Sequence, residues 1–398
     1  MLKGKVVVVG VTGSIAAYKS AQLVSDLVKL GCEVHVIMTQ NALNFINPIT
    51  FETLTGNKCL VDTFDRNFEF NVTHVSLSQK ADVFIIAPAS ANIIGKLANG
   101  IADDMLSTMV MAAKCTTLIA PAMNKYMFMN SIVQENIAKL QRHNFKIIQP
   151  AVGRLACNDT GVGKLPDVDV LIDYIRHEIS CEKDYAGLKV LITAGPTQES
   201  LDPVRYITNH SSGKMGYALA QAASDRGAEV VLVSGSVHIK PPLFAQCKNV
   251  LSAEDMFHAV AEELSDSDVV IMAAAVADYT PDSYSDRKIK KSDSDMSIPL
   301  KRTTDILQYA GDNKPDGQII CGFSMETENL MENSKKKLQK KHCDMIAANS
   351  IRQNGAGFGT DTNIITLITR NHTTELPLMS KTDAAHQILD HILKLKKS

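Results

Sequence analysis

The stretch "AVGRLACNDTGVGKLPD" (residues 151–167) puts one thiol, Cys157, among three glycines and two basic residues. A free cysteine is usually buried and inert. This one has Arg154 and Lys164 close in sequence, and neighbouring cations tune thiol acidity. Glycines on both sides make the segment a candidate lid. Four more side chains could do chemistry. His74, in "NVTHVSLSQKAD", belongs to the residue type that titrates near neutrality, although a lone histidine is more often structural. Asn124, in "APAMNKYMFMN", offers a carboxamide at the end of an apolar run, where the methionines by themselves read as core. Asn209, in "ITNHSSGK", is either such a donor or an Asx turn before a helix. Lys288 opens "KIKK", a run that in isolation reads as a solvated loop.

The elements that would carry these residues alternate. "KVVVVGVT", "EVHVIMT", "ADVFIIAPAS" and "TTLIAPAMN" read as strands. "SIAAYKSAQLVSDLVKLG" reads as an amphipathic helix with a glycine stop, and "ANIIGKLANGIADDMLSTMVMAA" as a further helix. Continuous apolar strands between helices call for a parallel sheet covered on both faces. The first strand–helix turn, "GVTGSIAAYK", is spaced G-x-x-G. It is either a plain tight turn or an anion pocket at a helix start. The second strand ends "VIMTQ", without the acid that a dinucleotide ribose needs. A ligand there would carry a phosphate without a second ribose, as flavin mononucleotide does. Thr39 and Ser90 stand at the carboxyl ends of their strands, where such sheets bind ligands.

The pattern then repeats. "GLKVLITAG" matches "GKVVVVGVTG", "GYALAQAASDRGAEVVLVSG" matches "AYKSAQLVSDLVKLGCEVHVIMT", and "SDVVIMAAAV" matches "ADVFIIAPAS". The expected fold class is α/β, with two doubly wound, Rossmann-like parallel-sheet domains in tandem. They would span residues 1–180 and 187–398, with the boundary in "HEISCEKDYAG" (177–187). The second domain carries an insertion, "PTQESLDPVRYITNHSSGK", long enough to read as functional. It also carries the polar stretch "DYTPDSYSDRKIKKSDSDMS" (278–297), which reads as mobile.

Bulk properties narrow the function. The net charge of −2 over 398 residues gives no reason to expect nucleic acid or an anionic membrane as partner. No stretch approaches the roughly 20 apolar residues of a membrane span, and "MLKGKVVVVG" reads as a strand start rather than a signal peptide. Eight scattered cysteines without a C-x-x-C pair argue against a zinc site or a disulfide framework and fit a reducing cytoplasm.

Taken in order, "GSIAAYK", "NVTHVSLS", "PAMNKYM" and "ACNDTGVGK" resemble the flavin-dependent decarboxylases of peptidyl-cysteine or phosphopantothenoylcysteine. "ITNHSSGKMG", "AAAVADY", "KIKK" and "GFSMET" resemble 4′-phosphopantothenate–cysteine ligase. The two halves in this order resemble the bacterial bifunctional coenzyme A biosynthesis family, and the likeness covers nearly the whole chain. It implies that the C-terminal half activates 4′-phosphopantothenate with CTP and couples the acyl-cytidylate to L-cysteine. It implies that the N-terminal half decarboxylates the product with FMN, through thiol oxidation to a thioaldehyde and reduction of an enethiolate. His74 would then be the acid/base or carboxylate-handling residue, Asn124 the carboxylate binder and Cys157 the proton donor. FMN would touch Gly13, Ser14 and Ile15, with Thr39, Ser90 and Ser107 as further contacts. Asn209 would handle the acyl-cytidylate, and Lys288 would serve activation or amide formation. The nucleotide pocket would gather Met272, Ala273, Ala274, Asp278, Lys288, Thr304, Asp305, Ile306, Leu307, Phe323, Lys337 and Lys341. Mg²⁺ would bridge phosphates, without a protein metal cage. The resemblance also implies a homo-oligomer of decarboxylase trimers and ligase dimers, up to a dodecamer.

Four positions depart from the family pattern. Phe128 stands where relatives often have tryptophan. Asn158 and Lys164 stand where the lid often has glycine and arginine, and lysine keeps the charge but loses bidentate geometry. "RTTDIL" has threonine where proline is common. Two other functions compete. A nicotinamide oxidoreductase is disfavoured by the missing acid after the second strand, and a non-catalytic flavoprotein regulator by the paired "ITNHSSGK" and "KIKK" motifs.

Overall fold

The computed structural model describes residues 2–63, 73–154, 160–290, 296–326, 329–350 and 359–397, the side chains of residues 73–75, 154, 326 and 350 excepted. The chain forms two compact units, Met1–Glu182 and Lys183–Ser398.

In the first unit the strands are β1 (Val6–Val11), β2 (Glu33–Met38), β3 (Val83–Ala89), β4 (Thr116–Pro121) and β5 (Lys146–Ile147). They form one parallel sheet in the order β2-β1-β3-β4-β5. Side chains alternate across it, as the pleat requires. Val7, Val9 and Val11 meet Leu23, Val24 and Leu27 of α1 (Ala17–Lys29), with Leu171 and Ile175 of α8 (Val168–Ile179). Val6, Val8, Phe84 and Ile86 meet the other layer, including Ile93 of α4 (Ala91–Ala98), Leu106 of α5 (Met105–Ala112) and Leu140 of α7 (Ser131–Arg142). Each such side chain, fully buried, contributes about 1.5–3 kcal/mol, so two-sided coverage explains why these strands are apolar throughout.

Three shorter helices complete the unit: α2 (Pro48–Thr55), α3 (Thr73–Lys80) and α6 (Lys125–Met129). The stretch read as one helix after β3 is two. Gly100 adopts a left-handed φ of 67°, and Asp104 with Ser107 forms a capping box that starts α5 afresh. Beyond β5, β6 (Ala151–Arg154) and β7 (Thr160–Lys164) pair antiparallel.

The second unit has one eight-stranded sheet. Its strands are β8 (Lys189–Ala194), β11 (Glu229–Ser234), β12 (Ala245–Asn249), β13 (Val269–Met272), β16 (Ile319–Glu326), β17 (Met345–Ser350), β19 (Ile365–Thr369) and β20 (Thr373–Glu375). The order is β12-β11-β8-β13-β16-β17-β19-β20. The first six are parallel, and β19 and β20 run antiparallel at one edge. The sheet is therefore mixed, an edge that the repeat with the first half does not contain. The covering helices are α9 (Lys214–Asp225), α10 (Ala253–Leu264), α11 (Ile306–Asp312), α12 (Leu330–Lys340) and α13 (Lys381–Lys397). Gly216 lets α9 lie close on β8, because a Cβ there would stand 2.5 Å from the Ala194 Cβ.

The insertion after β8 is not a structureless loop. It folds as an antiparallel pair, β9 (Gln198–Ser200) with β10 (Tyr206–Thr208). The stretch read as mobile is anchored at its ends by β14 (Tyr279–Pro281) and β15 (Leu300–Arg302), and a two-residue pair, β18 (Thr362–Asn363) with β21 (Met379–Ser380), leads into α13.

Candidate active sites

The strand order of the first unit reverses between β1 and β3, and ligands of doubly wound sheets sit at such a switch point. A cavity of about 710 Å³ opens there. Gly13, Ser14 and Ile15 line it from the β1 turn, Ser90 from the end of β3, Asn124 from beyond β4, and Lys164 from β7. Thr12 braces the two flanking strand ends. Its buried hydroxyl donates to the Pro88 carbonyl at 2.8 Å and accepts from the Ser90 N–H at 2.9 Å. Gly13 has no room for a side chain, since a Cβ would stand 2.7 Å from the Asn41 Cβ.

Asn124 caps α6, accepting from the Tyr126 N–H at 2.8 Å. The neighbouring Met123 N–H donates to the Gly163 carbonyl at 3.0 Å, which docks the β6–β7 hairpin beside Asn124. Lys19 fastens the exit of the hairpin, donating to the Leu165 and Pro166 carbonyls and pairing with Asp167 at 3.0 Å. Phe128 is half-buried and packs against the core beneath.

The remaining sequence candidates of this unit lie elsewhere. Thr39 precedes a 3₁₀ turn and is not among the residues lining the cavity. Ser107 is buried, and its hydroxyl and amide both bond to Asp104 in the α5 capping box. A serine three residues after an aspartate is the signal that could have identified that cap. His74 lies in α3, with its side chain outside the described residues. Cys157, Asn158 and the side chain of Arg154 also fall outside them. Tyr18, Lys19, Phe45 and Met127 line the cavity and were missed by the sequence reading. Lys19 was visible, one turn into the helix that follows the glycine turn.

In the second unit the strand order reverses between β8 and β13, and a cavity of about 550 Å³ lies at their carboxyl ends. It gathers Met272 at the end of β13, Ala274 and Asp278 beyond it, and Thr304, Asp305, Ile306 and Leu307 at the start of α11. Phe323, Lys337 and Lys341 form the opposite side. Asp305 caps α11, accepting from the Gln308 N–H at 2.9 Å, and its other oxygen pairs with the Lys341 ammonium. Burial opposes the charge of Asp305, but Lys341 and the Gln308 amide outweigh it and hold the carboxyl below its ordinary value. Lys337 donates to the Phe323 carbonyl at 2.8 Å. Arg302 and Thr193 also line the cavity and were missed, although Arg302 directly precedes the "TTDIL" motif.

A second cavity, of about 150 Å³, shares Ala274 and Phe323 with the first and includes Ala273. Lys214, Lys381 and Asn349 line it. Lys381 is buried, and burial followed by Lys214 lowers its pKa. The buried Asn349 Oδ1 has no hydrogen-bond partner among the described residues. Asn209 is exposed and donates to the Ala275 and Val276 carbonyls at 3.1 and 3.3 Å. Lys288 is exposed and lines neither cavity. Among the described residues no three His, Cys, Asp or Glu side chains gather as a metal site, and no helix is long and apolar enough to cross a membrane.

Two family models match the chain. "Flavoprotein" covers residues 1–180, and "DNA/pantothenate metabolism flavoprotein C-terminal domain" covers residues 185–395. The coenzyme A biosynthesis bifunctional protein CoaBC of Bacillus subtilis is 45% identical over 401 residues, spanning 100% of this chain and 98% of that protein. The protein of the same description from Haemophilus influenzae is 40% identical over 393 residues, spanning 99% and 98%. A crystal structure of the C-terminal domain of a CoaBC protein is 42% identical, with a TM-score of 0.47, covering 54% of this chain and 99% of that one.

Proposed function

Because the chain belongs to the family of bifunctional coenzyme A biosynthesis proteins, we propose that its two units catalyse consecutive steps. The second unit joins 4′-phosphopantothenate to L-cysteine at the expense of CTP. The first decarboxylates the product to 4′-phosphopantetheine. The observation that carries this reading is the pair of built cavities, each at the switch point of its own sheet.

In the first unit the Gly13–Ile15 turn would take the phosphate of FMN, with Ser90 beside it. The close packing of Gly13 against Asn41 supports a backbone cradle at that point. Thr39 remains proposed as a further contact, whereas Ser107, fully buried and bonded to Asp104, does not. FMN supplies, when bound, a two-electron couple for the thiol-bearing carbon. Asn124 holds the substrate carboxylate, and His74 handles it or its proton. Cys157 returns a proton, a task for which a thiol of pKa about 8.5 suits far better than a hydroxyl.

In the second unit Lys337 and Lys341 meet the triphosphate as cations. Mg²⁺ travels with its phosphates. Phe323 packs on the base, while Asp278, Thr304, Asp305 and the α11 start complete the pocket. The carboxylate of 4′-phosphopantothenate attacks the α-phosphorus and pyrophosphate leaves. The cysteine amine then attacks the acyl carbon and CMP leaves. Asn209 and Lys288 serve the acyl-cytidylate. The smaller cavity suits the phosphorylated substrate: Lys214 and Lys381 supply positive charge, and the open Asn349 oxygen can accept from a substrate amide or hydroxyl.

The chain works in the cytoplasm as a homo-oligomer, with decarboxylase trimers and ligase dimers building a dodecamer. Exposed apolar side chains at the first cavity, among them Ile15, Tyr18 and Met127, support a covering copy. A mass-resolved assay of the whole chain with CTP, 4′-phosphopantothenate and L-cysteine tests both reactions and their order. Expected are 4′-phosphopantothenoylcysteine, then 4′-phosphopantetheine, with one pyrophosphate per turnover. Equal turnover with ATP would refute the nucleotide preference.

A further inference from the structure

The insertion between β8 and α9 holds two places at once. At its C-terminal end, Asn209 bonds to the carbonyls just beyond β13. At its tip, residues 201–205 hold the segment that contains Lys288. The Leu201 carbonyl accepts from the Ser285 N–H at 3.1 Å. The Asp202 carboxylate accepts from the Ile289 N–H at 3.0 Å, and Arg205 donates to the Ile289 carbonyl at 2.9 Å. Both main-chain groups of the residue after Lys288 are therefore held by one acid–base pair.

Asp202 is built for that duty. It is only 3% exposed. Besides Ile289 it accepts from the Val204 and Arg205 N–H groups at 2.8 and 2.9 Å, and from the Arg205 side chain at 3.0 and 2.6 Å. Arg205, burial notwithstanding, and the three amides keep the carboxyl well below the usual range. Lys288 itself is exposed, and no wall of either cavity fixes it. A lysine on a free loop would sample many positions, and a misplacement of 1 Å costs on the order of 100-fold in rate.

We propose that Asp202 is a positioning residue for ligation: through the Ile289 backbone it sets the place of Lys288 relative to Asn209 on the same insertion. This rests on Lys288 being a ligase residue. The Asp202→Asn variant keeps an acceptor for the turn but turns an N–H₂ toward the Ile289 N–H, which frees the segment.

The test uses the full chain. In Asp202→Asn, kcat for ligation should fall about 10- to 100-fold with KM for CTP nearly unchanged, while decarboxylation of supplied 4′-phosphopantothenoylcysteine stays at its original rate. On a Lys288→Gln background, Asp202→Asn should cost nothing further, because it acts through Lys288. Brief trypsin treatment should cut faster after Arg287, Lys288 or Lys290, since exposed sites are cut when their backbone is released. Ile289→Pro removes the same N–H from the other side and should reproduce the ligation loss. Additive losses in the double variant would overturn the proposal, as would unchanged trypsin cleavage with Asp202→Asn. Full ligation by Lys288→Gln would instead refute the assignment of Lys288, leaving the trypsin pattern as the separate measure of the tether.

Discussion

Thr12 ties β1 to the end of β3, its hydroxyl lying between the Pro88 carbonyl and the Ser90 N–H. One buried side chain thereby fixes the spacing of the two lips of the first cavity. Thr12→Val keeps the shape and removes both bonds. The buried Pro88 carbonyl and the part-buried Ser90 N–H lose this partner, at about 1–3 kcal/mol at most for the buried one. The variant should melt earlier and retain less FMN, measured by the flavin absorbance per chain, whereas Thr12→Ser should retain it. Full flavin content with Val would show that the brace is not needed.

Gly163 docks the β6–β7 hairpin next to Asn124. Its φ of 126° is closed to ordinary residues, and a Cβ would stand 2.4 Å from the Met123 carbonyl oxygen. Gly163→Ala should cost about 1–3 kcal/mol of hairpin docking. Decarboxylation should fall at least tenfold, while pyrophosphate release from CTP continues at its usual rate. Equal loss of both activities would contradict the local reading.

The two chemistries should also separate by variant. Cys157→Ser is expected to release carbon dioxide and accumulate an oxidised enethiol, detectable by mass. Lys288→Gln is expected to stall ligation and leave decarboxylation of supplied substrate intact. Full 4′-phosphopantetheine yield from the serine variant would exclude proton donation by Cys157.

The strands were legible because two-sided burial makes them apolar runs, as in Val6–Val11 and Val83–Ala89. The helix after β3 was misread as continuous, because a glycine in sequence does not announce a left-handed turn, and Asp104 with Ser107 signals a cap only when the pair is noticed. The antiparallel edge was not read, since β20 has three residues and β19 five, too short for a strong period. The β9–β10 hairpin escaped for the same reason. At the candidate sites, motif residues that follow strand ends converge: Gly13, Ser90 and Asn124 line one cavity, Asp278 and Phe323 another. Lys381 and Asn349 were invisible because they come from separate elements, brought together only by the packing of α13 and β17.

Gly311 governs how close α11 lies to the chain around Lys341. A Cβ on Gly311 would stand 1.9 Å from the Lys341 carbonyl oxygen, a backbone atom that no rotamer change can move. Gly311→Ala should therefore push the α11 start and Lys341 apart and weaken CTP binding about tenfold or more by titration calorimetry, with flavin content unchanged. Wild-type affinity would show that the helix can shift without cost to the pocket.

The Asp305–Lys341 pair predicts a pH signature. The folded carboxyl titrates below its value of 3.8 without partners. The pair therefore contributes stability above that value and loses it as pH falls through the lower, folded one. Asp305 is about half exposed at its side chain, so solvent screening limits the contribution to less than about 1 kcal/mol. Asp305→Asn isolates the charge, because asparagine caps a helix as well as aspartate does. Urea unfolding of the full chain at pH 7 should show the second unit of the variant less stable by that small amount. The gap between the proteins should hold from neutral pH down to 3.8 and narrow only as pH falls further, through the lowered folded value. A gap of the same size at every pH down to acid unfolding would mean that Asp305 acts through its cap and packing, not through its charge.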